Sequence, residues 1–123
     1  MDFVANKTGL VVNQDLFAGD VPVGQEGVAV WQDAGAVDFS GMERYTFHFV
    51  AIYKDYSTAE EKCNLIYTNL GFRYRTEFLD ATKLFAIYPV IPPFYQGRDN
   101  IDGYYMFVTT FEVVTGKEFS YGG

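Results

Sequence analysis

The sequence has few of the residues on which metal sites and many small enzymes depend. It contains one cysteine, Cys63, and one histidine, His48, in 123 residues. A single cysteine excludes an intrachain disulfide, and the Cys and His spacings of zinc sites are missing. We therefore expect no metal and no cofactor. Cys63 is predicted to face a buried side of a helix, and His48 to be a hydrogen-bonded histidine in a strand.

Other features of enzymes are also missing. Phosphate-binding loops, nucleophile elbows and His-Glu-x-x-His patterns do not occur. A general base needs a nucleophile or water within reach and an orienting partner, and nothing near His48 in the sequence supplies one. None of the sixteen acids is singled out as half of a catalytic pair. We predict that the protein is not an enzyme.

Basic residues are scarce in the first third of the chain. Residues 1–43 hold seven acids and one base, Lys7, within a formal net charge of −7. Proteins bind DNA and RNA largely by placing Lys and Arg on phosphates, so specific nucleic-acid binding is not expected. An acidic face can instead lie beside DNA and repel it.

Long apolar runs are missing as well. Nowhere does the sequence reach the run of about 18 apolar residues that a membrane helix needs, and no basic segment followed by an apolar one opens it. We expect no membrane partner, and a protein that is made in a reducing cytoplasm or kept in a particle assembled there.

Aromatic residues are abundant, with twelve Phe and ten Tyr making up most of a 19% aromatic content. One small core does not need so many rings, and Tyr in particular is enriched at protein interfaces. The composition therefore favours a protein that assembles with other chains.

The apolar patterns predict a single α+β domain over residues 1–123, with a mainly antiparallel sheet. A short N-terminal helical segment comes first. Arg44 to Lys54 alternates strongly and predicts a central strand. Ser57 and Glu60 form a capping-box pattern before one well-defined amphipathic helix, which ends at Leu70 and covers one face of the sheet. The other predicted strands are residues 16–18, 27–31, 82–91, where Pro92-Pro93 stops the strand, and 104–114.

Residues 32–43, QDAGAVDFSGME, are polar and dotted with glycine, and they are too many for a tight turn. We interpret them as a projecting hairpin arm that contacts a tube or a neighbouring subunit. Its candidate contact residues are Asp33, Asp38, Phe39 and Met42.

The segment YQGRDNIDGYY, residues 95–105, carries two acids and an amide close together. Its Asp-Asn-x-Asp spacing does not match a calcium loop, whose ligands alternate and end in a bidentate Glu. Asp and Asn also favour turns, and glycine supplies unusual backbone angles. We therefore expect a turn before the last strand that serves at a subunit interface, with candidate residues Phe94, Tyr95, Arg98 and Asp99.

Four short segments also occur in a fixed order. They are DLFAGDVP at 15–22, GVAV with a glycine-bearing loop from 27, a long strand from 44 followed by YSTAE at 56–60 and a helix, and PPF with GRD-x-x-x-GY at 92–104. This series resembles the tail terminator proteins (tail completion, or minor capsid, proteins) of long-tailed bacteriophages. The resemblance covers nearly the whole chain, although Tyr104 stands where that family commonly has a basic residue.

The resemblance implies a structural virion protein at the head-proximal end of the tail. Such proteins form a ring, usually a hexamer, which caps the tail tube, stops its growth and offers a surface for head–tail joining. The implied partners are other copies of the chain, the tail tube protein and a head-completion or connector protein. DNA would pass through the ring without specific binding.

Two other interpretations stay open at this level. The chain could be another neck or tail component, either a head-closure protein or a tail-tube subunit. It could also be a small α+β ligand-binding domain or enzyme, which would need a deep pocket with convergent polar groups.

Overall fold

The structure is a computed structural model that describes residues 5, 8–33, 36–37, 43–70, 77–79 and 82–117. Within these residues the chain forms one sheet and one long helix, α1, which confirms the α+β class with a mostly antiparallel sheet. The elements are β1 Leu16–Ala18, β2 Gly27–Gln32, β3 Ala36–Val37, β4 Glu43–Tyr53, α1 Tyr56–Leu70, β5 Glu77–Leu79, β6 Thr82–Arg98 and β7 Tyr105–Lys117.

The strands are arranged in the order β1-β2-β4-β7-β6-β5, and β3 pairs with the start of β4. β4 is central, as its alternation predicts, because it pairs with β2 on one side and with β7 along its whole length on the other. The β1–β2 pair is parallel, which the sequence did not indicate. The connection between these two strands, residues 19–26, returns across the face of the sheet opposite to α1.

Helix α1 covers one face of the sheet by packing on β4, β6 and β7. Its buried stripe consists of Ala59, Cys63, Ile66 and Leu70, four of the five positions that the helical spacing predicts. The fifth, Tyr67, is only partly buried and packs against this core. Burial raises the pKa of the Cys63 thiol to about 12, since a thiolate there would lose its hydration. Leu10 and residues of the strands form the rest of this core. The strand residues are Leu16, Val28, Phe49, Ala51, Tyr53, Ile87, Phe107, Phe111 and Val113.

The helix begins before the predicted cap. Its first residue is Tyr56, so Ser57 lies inside the first turn. Asp55 precedes the helix, its carbonyl accepts from the Ala59 N–H at 3.0 Å, and its carboxylate accepts from the Thr58 hydroxyl at 3.0 Å. The prediction of Ser57 as the cap, with Glu60 as its capping-box partner, was therefore wrong, because Asp55 also favours the cap position and takes it here.

Strand β6 does not stop at Pro92-Pro93, and that prediction was wrong. It continues to Arg98 and pairs with β7 along its length, with four register shifts, two of which lie at the prolines, between Pro89 and Ile91 and between Ile91 and Phe94. Among the described residues, β5 pairs only with Thr82, Lys83 and Leu84 of β6. Within the described part of the chain, the rest of β6 is therefore an edge, where a proline removes no inner ladder bond.

A smaller apolar cluster lies on the face of the sheet away from α1. Ala29, Val50 and Val108 are buried there, and Val21 of the β1–β2 connection packs against them with Ile52 and Met106. The predicted N-terminal helical segment lies outside the described residues except for Ala5 and Thr8, where the Gly9 N–H donates to the Ala5 carbonyl at 2.8 Å.

Candidate functional site

The turn between β6 and β7, residues 99–104, is organised around one carboxylate. Asp99 Oδ1 accepts hydrogen bonds from the backbone N–H groups of Ile101, Asp102 and Gly103, and Oδ2 accepts from that of Tyr104. The Asp99 N–H donates to the Tyr104 carbonyl at 2.9 Å and closes the turn.

This arrangement changes the acidity of Asp99. Desolvation alone would raise the pKa of its carboxyl, but four backbone N–H donors favour the carboxylate and together lower the pKa. Within the turn the oxygens of Asp99 are therefore committed to the backbone. Among the described residues, no group of three side chains could hold a metal ion.

Arg98 is fastened to the same turn. Its Nε donates to the Gly103 carbonyl at 2.8 Å, and its guanidinium carbon lies 4.7 Å from the centre of the Tyr105 ring. A cation over an aromatic face is attracted by the ring quadrupole. Gly97 and Gly103, with φ of 126° and 71°, supply backbone angles that side chains disfavour. The turn is thus held by its own residues, as the Asp, Asn and Gly pattern predicts.

The turn is also joined to the β1–β2 connection, far away in the sequence. Asp102 Oδ2 accepts from the Gly24 N–H at 3.0 Å. The neighbours of these two residues, Val23 and Ile101, are the most exposed large apolar residues among those described, at 70% and 73%. We call this pair the aliphatic tip. The two loops that carry this pair also contain four acids: Asp20, Glu26, Asp99 and Asp102.

Strand β6 carries the largest group of exposed apolar side chains among the described residues. Val90, Ile91, Phe94 and Tyr95, which we call the β6 strip, are between 41% and 52% exposed. In the register with β7, Phe94 pairs with Val108 and Tyr95 with Phe107. Since adjacent β7 residues face opposite sides, the strip presents apolar side chains on both faces of the edge.

Tyr95 connects the strip to the helix. Its ring lies 5.4 Å from that of Tyr56, the first residue of α1, and 5.6 Å from that of Phe107. Tyr56 and Phe107 are 5.0 Å apart in an edge-to-face arrangement. Ring pairs of this kind contribute about 0.5–1.5 kcal/mol each beyond the area that they bury. They fix Tyr95 and Tyr56 while each ring stays about two-fifths exposed, at 43%.

A polar chain lies at the base of the arm. Asp33 Oδ2 is 2.8 Å from His48 Nε2, and His48 Nδ1 is 3.0 Å from Thr110 Oγ1. Asp33 also donates its backbone N–H to the Thr46 carbonyl at 2.9 Å. His48 is thus the hydrogen-bonded strand histidine that the sequence predicts, but both of its partners were missed because they are distant in sequence.

Carboxylate, imidazole and hydroxyl in a row resemble a hydrolytic triad, but burial argues against that role. Thr110 is only 2% exposed, so its hydroxyl is not open to a substrate. The Asp33 side chain, in contrast, is 63% exposed. The row is better explained as a fastening between the arm and the centre of the sheet.

The arm is described in part. Ala36 pairs with Arg44 and Val37 with Glu43, so β3 forms a short hairpin with the start of β4. Asp38, Phe39 and Met42, the other candidate contact residues of the arm, lie outside the described residues.

The sequence-predicted interface residues thus fall in two places. Asp33 lies at the arm base, whereas Phe94, Tyr95, Arg98 and Asp99 lie together at the end of β6. Sequence reasoning missed Val23, Ile101 and Tyr56 as exposed residues. For Val23 and Ile101 the sequence did contain a signal, because each is an aliphatic residue inside a polar turn, where no core is available to bury its side chain.

No protein-family model matches the chain, and no curated protein matches it. No helix in the described part of the chain is long and apolar enough to cross a membrane.

Proposed function

We propose that the protein is a tail terminator of a long-tailed bacteriophage, a structural protein without enzymatic activity. Copies of the chain form a ring, a hexamer in the usual case, on the head-proximal end of the tail tube. The ring stops tube growth and presents the surface to which the head-completion or connector protein joins. The short N-terminal helical segment and the 32–43 arm belong to this proposed architecture.

The observation that carries the proposal is the β6 strip, together with the ordered series of segments in the sequence. Four exposed apolar side chains lie within six residues of one edge strand. Natural edge strands are usually protected by charge, by proline or by a covering element. Here the stretch 84–97 has three prolines but no charged residue. Such a strand is protected against pairing with another strand, yet it still offers apolar side chains to a partner.

The charge distribution also favours assembly around DNA without binding to it. The net charge of −7 and the acidic first third of the chain would keep phosphates from sticking in a ring channel. DNA can then slide through the ring because the acidic residues repel its phosphates, and no base or phosphate is bound specifically.

A tube-growth experiment tests this function. Tube protein is polymerised with increasing amounts of the chain, and tube lengths are measured. A terminator added at substoichiometric amounts shortens or arrests the tubes, since one ring blocks one end. A head-closure protein leaves tube growth unchanged, and a tail-tube subunit polymerises into long tubes alone. Either outcome contradicts the terminator role.

A further inference from the structure

We propose that neighbouring copies meet head to tail, with the aliphatic tip of one copy docked on the β6 strip of the next. This pairing rests on the proposed ring and names the two surfaces that form it. The tip is Val23 with Ile101, and the strip is Val90, Ile91, Phe94 and Tyr95. The occupant of the strip is therefore a second copy of this chain.

Ring symmetry requires two different surfaces. A patch that pairs with itself closes a two-fold dimer, whereas a ring needs one patch on each subunit to meet another on the next. In the described part of the chain, the large apolar side chains that are exposed outside the tip and the strip are isolated or lie beside the strip: Val11, Trp31 and Tyr56. Among the described side chains, tip and strip are thus the two apolar groups that can face each other.

Charge decides which surface meets which. Two tips in contact would bring Asp20, Glu26, Asp99 and Asp102 of one copy against the same four acids of the other. Like charges placed opposite each other at an interface oppose association. The strip lies in a stretch, residues 84–97, that carries no charge at all, and the next residue of β6, Arg98, is positive. An acid-rimmed tip therefore meets no like charge on the strip.

The strip runs along β6 towards the tip of the same chain. At about 3.3 Å per strand residue, Ile91 lies about 20 Å before the end of β6, where the turn that carries Ile101 begins, and Tyr95 lies about 10 Å before it. Each copy can therefore use both surfaces at once.

The loops that carry the tip are fastened by hydrogen bonds. Asp99 organises one loop, Glu26 Oε2 accepts from the Lys54 N–H at 2.8 Å in the other, and the Gly24–Asp102 bond joins the two. Loop backbone that is ordered in advance loses less entropy on association, so a small apolar pair can contribute measurably to binding.

The test uses variants at the most exposed positions, where folding is least affected. Val23→Ser/Ile101→Ser removes the tip, and Val90→Glu places a carboxylate on the strip, opposite the acidic rim. Val90→Lys is the matched control of opposite charge, and Val11→Ser removes an exposed valine outside both surfaces. Cooperative thermal melting of each variant shows that it is folded. Self-association is measured by sedimentation velocity and by native mass spectrometry.

The tip variant and Val90→Glu should each need at least about tenfold more protein than wild type for half-assembly, the size of effect expected at an interface centre. Val90→Lys should assemble better than Val90→Glu, and Val11→Ser should match wild type. Mixing the tip variant with Val90→Glu should give a one-to-one heterodimer that grows no further, because each supplies the one surface that the other lacks.

Three results overturn the pairing. In the first, wild-type protein stays monomeric up to millimolar concentration. In the second, only Val90→Glu loses assembly while the tip variant keeps it, which shows that the strip pairs with itself. In the third, both variants assemble like wild type, so copies meet elsewhere. Tube capping is measured in a separate experiment. The terminator role can therefore be confirmed when the pairing of tip and strip is overturned, and it can be overturned when the pairing is confirmed.

Discussion

Asp102 accepts a hydrogen bond from the backbone N–H of Gly24, 78 residues earlier in the chain, at 3.0 Å. This bond joins the β1–β2 connection, which carries Val23, to the turn after β6, which carries Ile101. Replacing Asp102 with Ala removes the acceptor, whereas Asn retains an oxygen. We expect Asp102→Ala to cost about 1 kcal/mol or less in unfolding free energy, because the bond is exposed. The measurement is hydrogen exchange at the Gly24 amide, which should be faster in Asp102→Ala than in Asp102→Asn. Equal exchange in the two variants contradicts this role.

Asp99 makes stability depend on pH in the acid range. Its folded-state pKa is lowered, so its contribution is present above the unfolded-state pKa of about 3.9 and is lost as pH falls through the folded value. Asp99→Ala should therefore be less stable than wild type at pH 7, by about 1 kcal/mol, and the difference should shrink below pH 4. Urea unfolding of both proteins at pH 7 and pH 3 measures it. A difference that stays constant over this range would show that the carboxylate charge is not involved.

Three side chains, Asp33, His48 and Thr110, are joined in a row by hydrogen bonds, and Thr110 is the buried end of this row. Thr110→Val leaves His48 Nδ1 without its partner at 3.0 Å, and we expect a loss of about 1–2 kcal/mol. Asp33→Asn changes an exposed pair and should cost less than about 1 kcal/mol. Chemical denaturation of the two variants compares them. If Asp33→Asn is the more damaging, the exposed pair and not the buried hydroxyl fastens the arm.

The arm is predicted to act in assembly and not in folding. Replacing residues 34–42 with a short Gly-Ser linker keeps Asp33 and β4, including His48, so the rest of the sheet should still melt cooperatively. Tail capping should fall sharply. A variant that melts normally and caps tubes as well as wild type excludes the arm from the contact.

Cys63 should be unreactive in the folded protein. It is buried, with its pKa raised to about 12, so almost no accessible thiolate exists at pH 8. Labelling with a thiol reagent should then proceed only through opening of the helix, and it should accelerate with urea. Because the unfolded chain ionises this thiol above about pH 9 while the folded chain does not, stability should also fall from that pH upward. Fast labelling without denaturant contradicts the packing of α1.

The sequence predicts those parts of the fold in which one local pattern dominates. The alternation from Arg44 defines β4, and the spacing from Ala59 to Leu70 defines the buried stripe of α1. It fails at β6, because proline is a strong stop signal in an inner strand but is tolerated at an edge, and edge position depends on where β5 ends. The sequence also does not predict that β1 and β2 pair in parallel, because a strand of three residues has too short a pattern to indicate its direction of pairing.

The candidate site is less predictable from sequence for the same physical reason. Gly97, Asp99 and Gly103 announce their turn locally, and the structure has that turn. The hydrogen bond from Gly24 to Asp102 joins residues that are 78 positions apart in the sequence. The hydrogen-bonded side chains that run from Asp33 through His48 to Thr110 join residues that are 77 positions apart. Pairings over such distances depend on the sheet order, and no periodicity in the sequence encodes them.

Electron microscopy of growing tail tubes tests the central claim most directly. Purified tube protein is allowed to elongate, the chain is added, and tube ends are imaged together with tube length over time. A terminator leaves a ring of added density at one end of each tube, with elongation stopped at that end. Tubes that keep growing with bare ends, or long tubes built from the chain itself, would contradict it.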